Sequence, residues 1–278
     1  MRFGLALPTG GECGDPSFLA ELGERAEDAA WDGIFLEDYV CYQGHPAAPT
    51  CDTWVALAAI AVRTERVSVG VEVTPLARRR PWNVARAAAG IDQLSNGRMI
   101  LGVGLGDTGE SVVADASFAR FGEEMDPRRR AEMLDEGLTI VAGLWTGEPF
   151  SFRGKHFRLK EVTFLPRPVQ EPRIPIWIGG GYPSRGPLRR ALRWDGACLY
   201  KQGGGDMAPA DVRRLRGLAG DRPYTIAVGG RPRRDDWDAE RDFVRDVGRA
   251  GADWWVEWVA PAERETMRAA VARGPLIV

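Results

Sequence analysis

Apolar positions along this chain fall into short continuous runs that alternate with stretches repeating every three to four residues. The runs predict strands at Arg2–Leu7, Gly33–Glu37, Arg66–Thr74, Arg98–Val103, Pro175–Gly179, Gly196–Tyr200, Tyr224–Val228 and Asp253–Val259. The repeating stretches predict helices at Pro16–Trp31, Thr53–Arg63, Pro81–Leu94, Pro127–Trp145, Ser184–Trp194, Pro209–Leu218, Trp237–Ala250 and Ala262–Ala272. Leu134, Leu138, Val141 and Trp145 form one apolar stripe, as on a helix laid against a sheet. Asp15-Pro16 and Asp126-Pro127 each supply a capping acceptor and then a proline whose missing N–H costs nothing in a first helical turn; Pro81, Pro209 and Pro261 stand at similar places. Strands that are apolar throughout, and not alternating, belong to a parallel sheet covered by helices. Eight such strand–helix units predict an α/β fold of the (β/α)8 TIM-barrel kind, read as one domain over 1–278. An insertion is expected between the fourth helix and fifth strand, at about 147–173, where SFRGKHF reads as a small hairpin around Gly154. Gly203, Gly204 and Gly205 read as a connector in preference to a phosphate cradle.

The order of elements also disposes of a tempting motif. Gly104, Gly106 and Gly109 spell G-x-G-x-x-G, the fingerprint of a dinucleotide-binding turn. That turn belongs after a first strand, with an acid closing the next strand about 20 residues on. Here the glycines follow the fourth strand, and Phe121-Gly-Glu-Glu-Met-Asp leads into a helix. In a barrel they form part of the C-terminal mouth and let a ligand approach bare backbone.

Bulk properties exclude other classes. The formal net charge is −2, so no basic face suits a nucleic acid or anionic membrane. No window nears the ~18 apolar residues of a membrane span, and the N-terminal apolar run breaks at Pro8, too soon for a signal peptide. Cys13, Cys41, Cys51 and Cys198 are widely spaced and read as reduced thiols of a cytoplasmic protein. With His45 and His156 as the two histidines, no metal site is expected.

A series of motifs, in order, resembles the luciferase-like flavin-dependent oxidoreductases. It comprises Ala30-Trp-Asp-Gly-Ile-Phe-Leu-Glu-Asp, Arg80-Pro with Ala85-Arg, Asp92-Gln-Leu-Ser-Asn-Gly-Arg, Leu101-Gly-Val-Gly-Leu-Gly, Leu144-Trp, Phe152-Arg-Gly-Lys-His-Phe, Pro166-Arg-Pro-Val-Gln, Ile174-Pro-Ile-Trp-Ile-Gly-Gly-Gly and Arg193-Trp-Asp-Gly. The match covers at least residues 1–200. The resemblance implies a barrel, commonly a homodimer, binding FMN or the deazaflavin coenzyme F-420 at its mouth. The leading expectation is an FMN enzyme that uses reduced flavin and O2 to oxygenate a small organic substrate, with a separate flavin reductase as a candidate partner supplying the electrons. The alternatives are a deazaflavin enzyme performing hydride transfer, and a non-catalytic flavin-binding protein.

The resemblance also marks residues. A non-proline cis peptide and bulge are expected at Glu72–Val73, with Thr74, behind the flavin ring. Asp38 and Tyr39 occupy the place of an acid–His pair; the tyrosine removes a histidine-based acid or base and leaves Asp38 to contact ring or substrate, or to cap a turn. Asp107, beside Gly106, could move a proton or cap its loop. Gly179, Gly180 and Gly181 with Ser184 and Arg185 are read as opening the fifth helix, where free N–H groups and an arginine suit the cofactor phosphate. Arg78, Arg79 and Arg80 read as solvated surface or an anion clamp. Glu257 would be costly on an inward face unless paired or lining the mouth.

Overall fold

Eight parallel strands close into a barrel in the computed structural model, which describes residues 1–43, 45, 47–107, 117–276 and 278. In chain order the elements are β1 (Arg2–Leu7), α1 (Pro16–Asp28), β2 (Gly33–Leu36), α2 (Thr53–Arg63), β3 (Ser68–Pro75), α3 (Pro81–Leu94), β4 (Met99–Gly104), α4 (Ser117–Arg120), α5 (Pro127–Trp145), β5 (Phe150–Arg153), β6 (Arg158–Val162), β7 (Ile176–Tyr182), α6 (Arg185–Ala191), β8 (Gly196–Lys201), α7 (Pro209–Ala219), β9 (Thr225–Arg231), α8 (Trp237–Arg249), β10 (Trp254–Trp258) and α9 (Arg264–Ala272). The closed order is β1-β10-β9-β8-β7-β4-β3-β2. The insertion carries the antiparallel hairpin β5–β6. Glu136 of α5 anchors it, accepting the backbone N–H groups of Lys155 (2.7 Å) and Phe157 (2.9 Å).

Local chemistry sets the helix starts. Asp15, Asp52, Asp126 and Asp236 each accept backbone N–H groups of the first turn. Pro16, Pro81, Pro127 and Pro209 each open a helix. Pro261 does not, since α9 begins at Arg264. Among the described residues no helix is long and apolar enough to cross a membrane.

The barrel holds two cores. Its outer core lies between strands and helices. Its inner one comprises Ala6, Phe35, Ile100, Trp177, Cys198, Ala227, Trp254 and Val256, with Val73 and Trp258 packed on it. Three aromatic rings fill the middle: Phe35 to Trp177 at 5.4 Å, Phe35 to Trp254 at 5.5 Å and Trp177 to Trp254 at 5.7 Å between centroids. Glycines make room for them. A Cβ on Gly33 would lie 2.8 Å from Trp254, and one on Gly196 2.7 Å from Trp177. The barrel is thus plugged below its mouth.

Trp255 and Glu257 of β10 face the opposite way, toward the helices. Glu257 is 1% exposed. It accepts from Arg233 Nε at 2.9 Å and from Arg273. The sequence left its role open, allowing burial only with a partner or at the mouth; it is buried and ion-paired on the helix side of β10.

Candidate active site

Strand alternation decides which side chains reach the mouth. Phe35 points into the barrel, so Glu37, two residues on, does too. The missing Cβ of Gly70 faces Phe35, which puts Glu72 on the same inner face. Continuing each strand brings Gly104, Gly179, Tyr200, Gly229 and Trp258 to this level.

Between Val71 and Thr74 the register of β3 against β4 shifts, and Glu72–Val73 is a cis peptide, as the resemblance implied. The bulge turns Val73 across the barrel. A Cβ on Gly104 would lie 2.8 Å from Val73 Cγ2, and one on Gly179 2.7 Å from Val73 Cγ1. Gly104 was expected to let a ligand approach the backbone. The space the two glycines leave is filled by Val73, which floors the mouth with an apolar surface. Gly106, with φ +76°, faces Phe118 and Pro75, and its loop is held by Arg130, which donates to the carbonyls of Leu105 and Gly106 at 3.0 Å each. Asp107 beyond it is exposed and interacts with the Arg130 charge. Gly109 lies outside the described residues.

Asp38 is 2% exposed and fully engaged. Arg79 grips both carboxylate oxygens, with Nε to Oδ2 at 2.7 Å. Thr74 Oγ1 donates to the same Oδ2, and Arg78 Nη2 donates to the Asp38 carbonyl at 2.8 Å. The cluster Asp38–Thr74–Arg79 joins the ends of β2 and β3. Arg78 and Arg79 are therefore not solvated surface, whereas Arg80 is exposed. The ring of Tyr39 packs edge-on against Tyr42, with centroids 5.6 Å apart.

Glu37 and Glu72 behave differently, and Glu37 was not anticipated. Trp258 Nε1 donates to Glu37 Oε1 at 3.2 Å. Glu37 Oε2 and Glu72 Oε2 are sealed from solvent and have no hydrogen-bond partner among the described residues. Burial pushes the Glu37 carboxyl up to about 7, against a smaller opposing pull from Trp258. Burial alone pushes Glu72 to about 7. Both groups can exchange a proton near neutrality. Burial, with help from the Glu72 charge, raises the Cys198 thiol far above its ordinary range, so Cys198 is no nucleophile. The signal for Glu37 was present in the sequence: a carboxylate two positions after the inward Phe35.

The expected phosphate cradle needs correction. Gly179, Gly180 and Gly181 do not open a helix. They are paired strand residues of β7, opposite Cys198, Leu199 and Tyr200 of β8. The helix α6 starts at Arg185, after a cis Tyr182–Pro183 bond. Ser184 Oγ donates to Gln202 Oε1 at 2.7 Å and makes no cap to the helix, while Arg185 is exposed at the rim. A cleft of about 630 Å³, lined by Glu12, Asp15 and Arg264 among others, opens beyond β1 and β10, to one side of the glycine strands.

A family model described as luciferase-like monooxygenase matches residues 1–188. An F420-dependent glucose-6-phosphate dehydrogenase of Microbacterium testaceum is 33% identical over 187 residues, 66% of this chain and 52% of that protein. The chain thus spans about half the length of such relatives. An uncharacterized protein of Mycobacterium bovis is 31% identical over 237 residues, 77% of each chain. Among solved structures, the F420-dependent tetrahydromethanopterin reductase of Methanopyrus kandleri superposes with a TM-score of 0.75 over 98% of both chains at 16% identity. At that identity the likeness shows the fold alone.

Proposed function

Because this chain belongs to the luciferase-like monooxygenase family, we propose that it is an oxidoreductase that exchanges a hydride between a small organic substrate and the deazaflavin coenzyme F-420. The observation that carries the reading is two sealed carboxyl oxygens with no partner among the described residues, Glu37 Oε2 just past β2 and Glu72 Oε2 in β3, the latter one residue before Val73. A flat redox ring with an apolar face and hydrogen-bonding edges fits that surface. The choice of ring follows the curated relatives, several of which are named F420-dependent. They favour the deazaflavin alternative over the expected FMN-and-oxygen reading, and enzyme family membership sets aside a non-catalytic role.

A bound deazaflavin supplies two-electron hydride chemistry. The chain supplies the rest. The Phe35, Trp177 and Trp254 plug keeps water from entering below. Val73 supports one face of the ligand. Trp258 orients Glu37 by holding Oε1, and Oε2 would give or take a proton once a bound ligand reaches it. Asp38 positions the ends of β2 and β3 and leaves proton transfer to its neighbour. Asp107 stands at the rim, and Ser184 and Arg185, just before and at the start of α6, would hold the cofactor phosphate. With hydride drawn from the substrate, no separate flavin reductase is needed. The chain acts as a homodimer, which light scattering on the purified protein checks.

Titrating purified protein with each cofactor tests the reading. Quenching of deazaflavin fluorescence with micromolar affinity, and no binding of FMN, is the expected result. Tight FMN binding without deazaflavin binding overturns it.

A further inference from the structure

Glu37 Oε2 is one of three sealed oxygens that the chain gathers where the segments after β1 and β2 meet. The others are the hydroxyls of Thr9 and Tyr42, and none of these three atoms has a hydrogen-bond partner among the described residues. Two contacts set the segments side by side. The Leu7 carbonyl accepts the Glu37 N–H at 3.2 Å. Further along, Gly10 packs against Tyr42 so closely that a Cβ has no room between them. Buried Thr9 stands between these two contacts. Backbone tethers hold the arrangement. Gly10 bridges to Thr50, and the Cys51 N–H donates to the Thr9 carbonyl at 3.0 Å. Thr50 Oγ1 accepts the Tyr42 N–H at 3.1 Å, and Thr53 Oγ1 donates to the Glu37 carbonyl at 2.7 Å.

The groups that face this cluster are named by their electrostatic effects. Burial, and then the Glu37 charge, push the Tyr42 phenol above its ordinary range, with smaller pushes from Tyr39 and Cys13. Burial, and then Cys51 and Glu37, push the Cys13 thiol up to about 12, while Arg264 and Glu12 act on it from the cleft side. Burial, and then Asp52, push Cys51 up to about 11. Trp258 faces Glu37 from β10, and Asp38 beside it is taken by Arg79 and Thr74. Tyr42, Cys13 and Cys51 therefore stay uncharged where Glu37 titrates, and Tyr42 remains a neutral O–H donor.

Neither hydroxyl bonds Glu37 directly. Sealed polar atoms in folded proteins are satisfied by protein or by ordered water, and a polar contact too long for a direct bond is commonly bridged by one. We infer that Thr9, Glu37 and Tyr42 enclose one internal water, and that Tyr42 and Thr9 are positioning residues that steady the ionised Glu37 through it. The water donates to Glu37 Oε2, accepts from the Tyr42 O–H and shares a further bond with Thr9 Oγ1. Hydrogen bonds given to the charged form weaken a carboxyl's hold on its proton, so the two hydroxyls offset part of the burial that raises Glu37. What Glu37 does with that proton rests on the oxidoreductase reading; its titration in ligand-free protein does not.

Infrared difference titration of the ligand-free protein reads the Glu37 carboxyl stretch. Glu72→Gln serves as the parent, so that the other raised interior glutamate is silent. Tyr42→Phe keeps the ring against Gly10 and removes one hydroxyl; Thr9→Val keeps the side-chain shape and removes the other. Each should move the Glu37 midpoint up, Tyr42→Phe by about one pH unit, a tenfold gain in proton affinity. Both substitutions release the same water, so the double variant should shift the midpoint by less than the sum. Thr9→Ser, which keeps a hydroxyl, should titrate like the parent. Should Tyr42→Phe fail to fold, the valine and serine variants at Thr9 carry the test. A midpoint that stays in place overturns the inference. Additive shifts, or a serine variant that titrates like the valine one, overturn it too, because packing and not a shared water then sets the midpoint. Deazaflavin binding is measured separately, so its failure and the failure of this inference are distinguishable.

Discussion

Adjacent acidic residues in this chain have opposite fates, and environment decides them. Asp38 is pinned by Arg79 and Thr74, while Glu37 keeps one oxygen sealed and unpartnered. The sequence marks both as acids at a strand end; only the alternation from Phe35 separates them. Asp38 drew attention because its motif position did, yet its partners Thr74 and Arg79 come from the next strand and the turn after it, 36 and 41 residues away, which no local pattern reveals. Glu257 carries the same lesson. Its partners Arg233 and Arg273 lie 24 and 16 residues off. Replacing Glu257 with Ala leaves the Arg233 side chain, itself 1% exposed, without its carboxylate. Removing one partner of a buried pair costs about 3–5 kcal/mol. Urea denaturation should show a loss of that order with the far-UV spectrum of the folded protein unchanged. A loss below about 1 kcal/mol would mean that water and the Gly274 carbonyl satisfy Arg233, and the pair is not structural.

Elements were the most legible scale, because their signals are local. Thr53–Arg63, Pro81–Leu94 and Pro127–Trp145 match the predicted helices end to end, each opened by an aspartate cap or a proline. The fifth barrel strand was not so readable. Its glycines have no side chains to pattern, so the run from Gly179 looks like a turn, although ladder pairing with β8 carries it on to Tyr182. That ladder gives Gly179 its role, which is to clear the path of Val73. Gly179→Ala should therefore destabilise the protein by about 1–3 kcal/mol through overpacking, since a valine branching at Cβ has little freedom to move aside. Adding Val73→Ala should recover most of the loss, as a double-mutant cycle in thermal unfolding would read. Independent, additive losses would show that the two side chains do not compete for the space. The start of α6 carries a separate expectation. Ser184→Ala with Arg185→Ala should weaken cofactor binding tenfold or more, at roughly 1–3 kcal/mol for the lost contacts. Unchanged affinity in a fluorescence titration would place the phosphate elsewhere.

At the scale of the whole molecule, the barrel could be read from eight repeats of one pattern, while the charge state of its interior could not, because burial is a property of the closed sheet. Glu37 and Glu72 are raised to about 7 by that burial. Unfolded glutamates titrate near 4.3. Between these values the folded protein holds more protons than the unfolded chain, so stability falls as pH rises through the window and levels off above it. For each carboxyl the integrated loss is of order 3 kcal/mol. At the acid end the sign reverses. Arg268, and then Arg25, hold the Glu21 carboxyl down near 2, so the stability this pairing provides is lost as pH falls below the unfolded value. Stability should thus peak near the unfolded carboxylate range and decline toward pH 8, unlike a protein whose carboxylates are all paired. Glu72→Gln removes one of the two interior titrations while keeping the shape of the side chain. Melting temperatures of this variant should decline less than those of the natural chain between pH 5 and pH 8, and at pH 8 the variant should be the more stable. Parallel declines for the two proteins would mean that Glu72 ionises as freely in the barrel as in the unfolded chain, and that the mouth is wetter than its sealed oxygens indicate.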